Sequence, residues 1–188
     1  SRMKDTSELQ KTYLESIVVD KGGYPYFINS ISDGNPPITK ELLDQIVECF
    51  TTMSDLDCDL ILAPEAMAIP YATALTLKTG IPFQIIRKRG HGIPGEIVFD
   101  QSTGYSKSTM YLAGVTEGTK VILIDDVIST GGTFRAIVNV LRKNGIIIEE
   151  SFVILNKSED LSKLETELDI KIHPILDVGV EDGRPVLR

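Results

Sequence analysis

The sequence predicts an α/β domain with a largely parallel central sheet flanked by helices. Apolar runs of strand length alternate four times with stretches at helical spacing. One of those runs, Val121-Ile122-Leu123-Ile124, is apolar at every position, as a strand buried on both faces of a parallel sheet requires. The length of 188 residues suits one domain, and 42% hydrophobic against 24% charged residues is an ordinary globular balance.

The elements follow in order. Pro36-Pro37 bars a helix upstream, Thr39 is available as its N-cap, and Leu42, Leu43, Ile46, Val47 and Phe50 recur at helical spacing. Leu60-Ile61-Leu62 is too short for a helix and runs into Ala63-Pro64-Glu65, so it reads as a buried strand ending in a loop. A helix over about 69–78 closes at Thr79-Gly80-Ile81-Pro82, and Phe83-Gln84-Ile85-Ile86 is the next strand. Residues 87–109 hold Gly90, Gly92, Pro94, Gly95 and Gly104 without a sustained period, which predicts a long loop or loosely structured flap. After the Gly118 turn comes the strand 121–124, then a helix opened by Gly131-Gly132-Thr133 and ended at Asn144-Gly145. Phe152-Val153-Ile154-Leu155 resumes strand character, 158–168 reads as a charged surface helix, 170–176 as a last strand, and Glu181-Asp182-Gly183 as a turn. No repeat or linker divides the chain; Ser1-Arg2 ahead of Met3 reads as an expression remnant outside the domain.

Composition narrows the function. Lys+Arg 19 against Asp+Glu 27 gives a net charge of −8, which disfavours non-specific binding to nucleic acid or an anionic membrane. There is no apolar run of membrane-spanning length and no signal-peptide pattern. Cys49 and Cys58 lack zinc-site spacing, so they read as ordinary thiols in a reducing, cytoplasmic setting. In sheets of this kind ligands sit beyond the carboxyl ends of the strands, which directs attention to the loops after Leu62, Ile86, Ile124 and Leu155.

The loop after Ile124 carries the strongest chemistry. The strand delivers two adjacent carboxylates, Asp125 and Asp126, and Ser129-Thr130-Gly131-Gly132-Thr133 then enters a helix. Glycines let the backbone come close to a ligand, hydroxyls and successive N–H groups donate, and the helix dipole favours an anion: a phosphate cradle. The carboxylates are placed to accept from vicinal hydroxyls of a sugar phosphate, or to act through a water or a metal ion; alternatively they only cap a turn. Neither the Walker pattern nor Gly-x-Gly-x-x-Gly is present. Residues 87–109 hold four basic residues (Arg87, Lys88, Arg89, Lys107) against Glu96 and Asp100, a local excess of +2 in an acidic chain.

The thirteen residues from Val121 to Thr133 resemble the phosphoribosyl pyrophosphate (PRPP) motif of type I phosphoribosyltransferases. Ala63-Pro64-Glu65-Ala66-Met67-Ala68 resembles that family's pyrophosphate loop. Arg87-Lys88-Arg89-Gly90, Ile93-Pro94-Gly95 and Gly104-Tyr105-Ser106-Lys107 are similar in order and spacing to its flexible flap. From about Gly23 onward the chain is most similar to the purine enzymes of archaeal type. The resemblance implies one phosphoribosyltransferase domain over residues 3–188, with a small hood at about 3–37, a core at about 38–188 and the flap at about 87–109.

It further implies transfer of a 5-phosphoribosyl group from PRPP to hypoxanthine or guanine, with Mg²⁺ arriving through the substrate and Asp125 as a candidate ligand to it. Asp126, Asp125 and Tyr105 are the implied catalytic residues, with Asp126 handling the proton at the base. Ser129, Thr130, Gly131, Gly132 and Thr133 take the 5-phosphate; Glu65, Ala66, Met67, Arg87, Lys88 and Lys107 take pyrophosphate. Phe27 is the candidate to stack on the base, whereas Tyr24 and Tyr26 equally suit packing of the hood or a dimer contact. The family is commonly dimeric, which makes a homodimer the expected assembly.

Adenine remains an alternative base. Bacterial and eukaryotic adenine enzymes carry Glu before the flap Tyr, and Gly104 stands there in this chain, which tilts the reading toward 6-oxopurines. A non-catalytic PRPP-sensing regulator is disfavoured by the acidic charge and by the roughly 35 residues ahead of the Thr39 helix, too few for a DNA-binding domain. An orotate enzyme is disfavoured because Gly90 stands where that flap carries an additional Lys. His91 reads as a solvated loop residue and His173 as structural.

Overall fold

The computed structural model describes residues 4–102 and 107–188. The hood is more structured than its sequence suggests. Helix α1 (Ser7–Leu14) is followed by strands β1 (Ile17–Lys21) and β2 (Tyr24–Ile28) and the single turn α2 (Ser30–Asp33). β1 and β2 pair antiparallel with Val18 opposite Phe27, joined by Gly22 and Gly23 at φ +65° and +86°. Two successive positive-φ residues make the tight hairpin turn whose twist matches the strands, which is why glycines stand there. α1 is pinned by Tyr13, whose hydroxyl donates to the Gly179 carbonyl at 2.7 Å.

The core begins with α3 (Lys40–Met53), capped as expected by Thr39, whose hydroxyl accepts from Leu42 N at 3.2 Å. Then come β3 (Leu60–Pro64), α4 (Ala68–Thr79), β4 (Phe83–Ile86), β5 (Ile97–Ser102), β6 (Lys107–Leu112), β7 (Lys120–Ile128), α5 (Gly132–Lys143), β8 (Ile147–Asn156), α6 (Leu161–Leu168), β9 (Lys171–Glu181) and β10 (Arg184–Leu187). The six-stranded sheet runs β10-β9-β8-β7-β3-β4. It is parallel throughout except for β10, which pairs antiparallel with β9.

Burial on both faces explains the continuous apolar runs. Along β7, Ile122 and Ile124 face one core with Leu9, Tyr13, Phe50 and Leu75, whereas Val121 and Leu123 face another with Phe134, Ile137, Leu141 and Leu164. Helix α5 buries Phe134, Ile137, Val138 and Leu141, one stripe at 3.6-residue spacing.

Several boundaries differ from expectation. Residues 97–102 and 107–112 are an antiparallel hairpin rather than a loose loop. Half-buried Ile97, Phe99 and Gln101 alternate with exposed Val98, Asp100 and Ser102. That period-2 pattern was too short and too polar to register beside five glycines and prolines. β7 continues past Ile124 to Ile128, so Asp125 and Asp126 lie within the strand. α6 starts at Leu161, not Ser158, because Asp160 is its N-cap and Ser158 N instead donates to Asn156 Oδ1. β9 extends to Glu181, and the expected turn folds it back as β10.

Candidate active site

The chain leaves β3 toward β4 on one side and β7 toward β8 on the other, so a crevice opens between the carboxyl ends of β3 and β7. The two anion loops predicted from sequence face it. After β7, Gly131 at φ +82° is the N-cap of α5 and has no side chain with which to cap the first turn. The amides of that turn therefore remain available to an anion. A cavity of about 160 Å³ there is lined by Asp125, Ser129, Thr130, Gly131, Gly132 and Thr133 among others. Ser129 and Thr130 are exposed and Gly131 is buried.

The cradle is held from outside. Arg135 Nη1 donates to the Thr130 carbonyl at 3.0 Å, and its Nε pairs with Glu167 of α6 at 2.5 Å. Gly132 lies beside the hairpin: a Cβ there would stand 3.2 Å from the Ser102 carbonyl oxygen. The loop end of the hairpin, where Ser102 pairs with Lys107, thus borders the cradle.

Asp125 and Asp126 sit in the cleft wall, each partly open to solvent but crowded by protein. Burial pushes the Asp125 carboxyl well above the usual carboxylate range, helped by a hydrogen bond from it to Asp126 and by the Asp126 charge. Burial raises Asp126 too, against that same bond, which favours its ionised form. Asp125 Oδ1 also accepts from the Asp126 amide at 2.9 Å.

After β3, the Glu65–Ala66 peptide is cis, and Met67 precedes α4. Glu65 Oε1 accepts from the Lys88 amide at 2.5 Å, so its carboxylate lies on the neighbouring strand's exit. Arg87, Lys88, Arg89 and Lys107 are exposed, and none forms a salt bridge among the described residues. Glu96 Oε2 and Oε1 accept from the amides of His91 and Gly92 at 2.8 and 3.1 Å, and these bonds hold its carboxyl below the usual range. The acid counted against the basic run is therefore engaged with main chain. Tyr105 lies outside the described residues.

The hood supplies the opposite wall. Phe27 is half-buried, and Lys157 Nζ stands 5.9 Å from its ring centroid. Burial pushes the Lys157 ammonium below its usual range, opposed by the charges of Asp33 and Asp126. Lys157 N donates to Ile128 O at 2.8 Å, and Asn156 bonds Asp177 at 2.9 Å, so the turn carrying Lys157 is fixed at the end of β8. Neither Lys157 nor Asp33 was singled out from the sequence. The loop after Leu155 was marked by its position at a strand end, but nothing in its composition pointed to the lysine.

His173 lies at the opposite end of the sheet, stacked on Phe152 with centroids 4.9 Å apart and paired with Glu150 at 3.1 Å, a structural setting as expected. His91 is exposed. Among the described residues no three His, Cys, Asp or Glu side chains converge as a metal cage, and no helix is long and apolar enough to cross a membrane.

The family described as "Phosphoribosyl transferase domain" matches residues 35–177. A hypoxanthine/guanine phosphoribosyltransferase of Methanohalophilus mahii is 46% identical over 180 residues, covering 95% of this chain and 94% of that protein. The enzyme of that name from Methanohalobium evestigatum is 43% identical, covering 96% and 93%. Among solved structures, adenine phosphoribosyltransferase from Thermoanaerobacter pseudethanolicus superposes with a TM-score of 0.73 at 21% identity, covering 90% of this chain and 98% of that one. The Leishmania donovani adenine enzyme gives 0.74 at 21%, covering 92% and 79%. At that identity the two structures share the fold, while the family match and the close relatives carry the assignment. The chain belongs to the phosphoribosyltransferase family.

Proposed function

We propose that the protein transfers the 5-phosphoribosyl group of PRPP to hypoxanthine or guanine, giving IMP or GMP and pyrophosphate. The observation that carries the choice of base is Lys157 beside Phe27. An ammonium is a donor only. It matches the carbonyl oxygen at position 6 of hypoxanthine and guanine, and it has nothing to accept from the 6-amino group of adenine. The names of the close relatives support the same reading.

In this reading the α5 amides and the hydroxyls of Ser129, Thr130 and Thr133 hold the 5-phosphate, and the ring of Phe27 stacks on the purine. The bond from ribose C1 to pyrophosphate oxygen breaks as the bond to the purine nitrogen forms, and the ring N–H proton passes to Asp126. Burial raises the Asp126 carboxyl above its usual range, which makes its ionised form a stronger base for that proton. Asp125 and Asp126 accept from the ribose hydroxyls and face the positive charge that develops on the sugar. Pyrophosphate leaves toward the Glu65–Met67 loop, Arg87, Lys88 and Lys107.

Mg²⁺ bound with pyrophosphate would neutralise part of its charge, and Asp125 is the chain's own carboxylate suited to hold it. Tyr105 and the hairpin would exclude water from the cation. A homodimer belongs to this reading, supported by Leu77, 84% exposed beside Leu43, Val47 and Ala74 on α3 and α4. The free thiols of Cys49 and Cys58 suit the cytoplasm.

The test is nucleotide formation from PRPP and Mg²⁺ with hypoxanthine, guanine, xanthine, adenine and orotate offered separately. IMP and GMP are expected. Lys157→Met should lower kcat/KM for hypoxanthine roughly 10–160-fold, the value of one charge-assisted hydrogen bond, and leave the slow reaction with adenine untouched. Preferred formation of AMP, or an unaltered K157M, would refute the base assignment. If PRPP binds and no base reacts, the catalytic reading fails.

A further inference from the structure

Glu65 is an odd residue to place in a pyrophosphate site, because a carboxylate aimed at the anion would repel it. The structure gives the side chain another partner. Glu65 sits where β3 ends, with its own amide on the Ile86 carbonyl at 2.9 Å, and its Oε1 takes the Lys88 amide at 2.5 Å. Arg87 in turn exchanges two main-chain bonds with Tyr111 of β6, at 2.8 and 2.9 Å. A continuous connection therefore runs from the loop after β3, through the exit of β4, to the hairpin.

Its effect is geometric. Lys88 is the second residue past the sheet ladder, just beyond the Arg87–Tyr111 bridge, and is exposed. Without a partner for its amide, the turn carrying Lys88 and Arg89 would be held by the Arg87–Tyr111 bridge before it and the Glu96 bonds to the His91 and Gly92 amides after it, with nothing at Lys88 itself among the described residues. The carboxylate supplies a charge-assisted bond to a backbone donor, among the stronger single hydrogen bonds a protein makes. It spends its negative charge on main chain rather than on the cleft.

We propose that Glu65 is a positioning residue: its carboxylate clamps the Lys88 amide and so sets the cations of residues 87–89 against the N–H groups of the Ala66-Met67 loop, making one pyrophosphate site from two loops. This rests on the transferase reading above. What the clamp requires is an acceptor at Oε1 and not a charge, so glutamine can replace glutamate and alanine cannot.

The experiment measures pyrophosphate affinity by calorimetry in the presence of Mg²⁺, together with KM for PRPP and for hypoxanthine, in wild type, Glu65→Ala and Glu65→Gln. E65A should weaken pyrophosphate about tenfold, the lower end for one charge-assisted bond because the clamp acts through the Lys88 turn, and raise KM for PRPP in parallel, with KM for hypoxanthine within twofold. E65Q should recover affinity to within about threefold of wild type. The clamp is overturned if E65Q is as weak as E65A, which would make the charge the working feature. It is equally overturned if E65A binds like wild type, or if E65A raises both KM values together with a lowered Tm. Failure of the transferase reading itself looks different, since wild type would then form no nucleotide from any base, whether or not it binds PRPP and pyrophosphate.

Discussion

Tyr71 offers a direct test of how the hood is held over the cleft. Its ring is fully buried on α4, and its hydroxyl donates to the carbonyl of Ile31 on α2, itself fully buried. α2 carries Asp33, and Gly34 beyond it lies near the Met67 side chain, so this bond ties α2 of the hood to α4 of the core beside the Glu65–Met67 loop. Tyr71→Phe keeps the ring and opens no cavity. What it loses is the donor, leaving a buried carbonyl without its partner at a cost of about 1–2 kcal/mol. For a chain of 188 residues that is a fall in Tm of about 2–8 °C, at about 2–4 °C per kcal/mol.

Burial, with the charges of Asp126 and Asp33, raises the Tyr71 phenol further above its ordinary value. The folded state therefore keeps the proton where the unfolded chain loses it. The stability this bond contributes is intact below pH 10 and erodes above it as the unfolded tyrosine ionises. Thermal melts from pH 6 to 11, with KM for hypoxanthine and PRPP, make the assay. The base KM should rise severalfold in Y71F and the PRPP KM should stay put. A Tm within 1 °C of wild type with an unmoved base KM would refute the lock.

Two further substitutions probe the cradle and the acid pair. Gly131→Ala forces a left-handed conformation on a residue with a Cβ, which would also meet Leu164 at 2.9 Å. A loss of about 1–2 kcal/mol is expected, with a raised KM for PRPP, and unchanged values of both would remove Gly131 from the cradle. Asp125→Asn should raise Tm at pH 7 while slowing turnover, because it deletes a carboxyl whose ionised form burial disfavours. The sign follows from linkage: between the unfolded carboxylate pKa and the raised folded one the native state holds the extra proton, so wild-type stability falls as pH rises through that window. A constant difference in Tm between wild type and D125N from pH 4 to 8 would contradict this.

The parts of the site that could be read in the sequence are those whose chemistry is local. Strand, acid pair, glycine loop and helix start stand within thirteen consecutive residues, and each is explained by its neighbours in the chain. The basic run after Ile86 was visible in the same way. The hairpin was not, because Asp100, Gln101, Lys107 and Ser108 stand between the apolar ends Ile97-Val98-Phe99 and Met110-Tyr111-Leu112, and the pairing of those ends is a matter of register rather than composition. Lys157 and Asp33 escaped for a stronger reason. Each gains its role from a partner far along the chain, Phe27 for one and Lys157 for the other, and neither has a pattern of its own. Glu65 is intermediate: its position in the loop was legible, and the direction of its carboxylate was set by β4.

The ends of the sheet have a bearing on solution behaviour. At one edge stands β10, four residues long with Pro185 within it, a residue that offers no amide to a newcomer. At the other stands β4, also four residues, with Arg87 just beyond it already bridged to Tyr111 of the hairpin. Both borders are thus short and partly obstructed, poor templates for another chain's strand. Concentrated preparations should accordingly resist polymerisation through the edges of this six-stranded sheet.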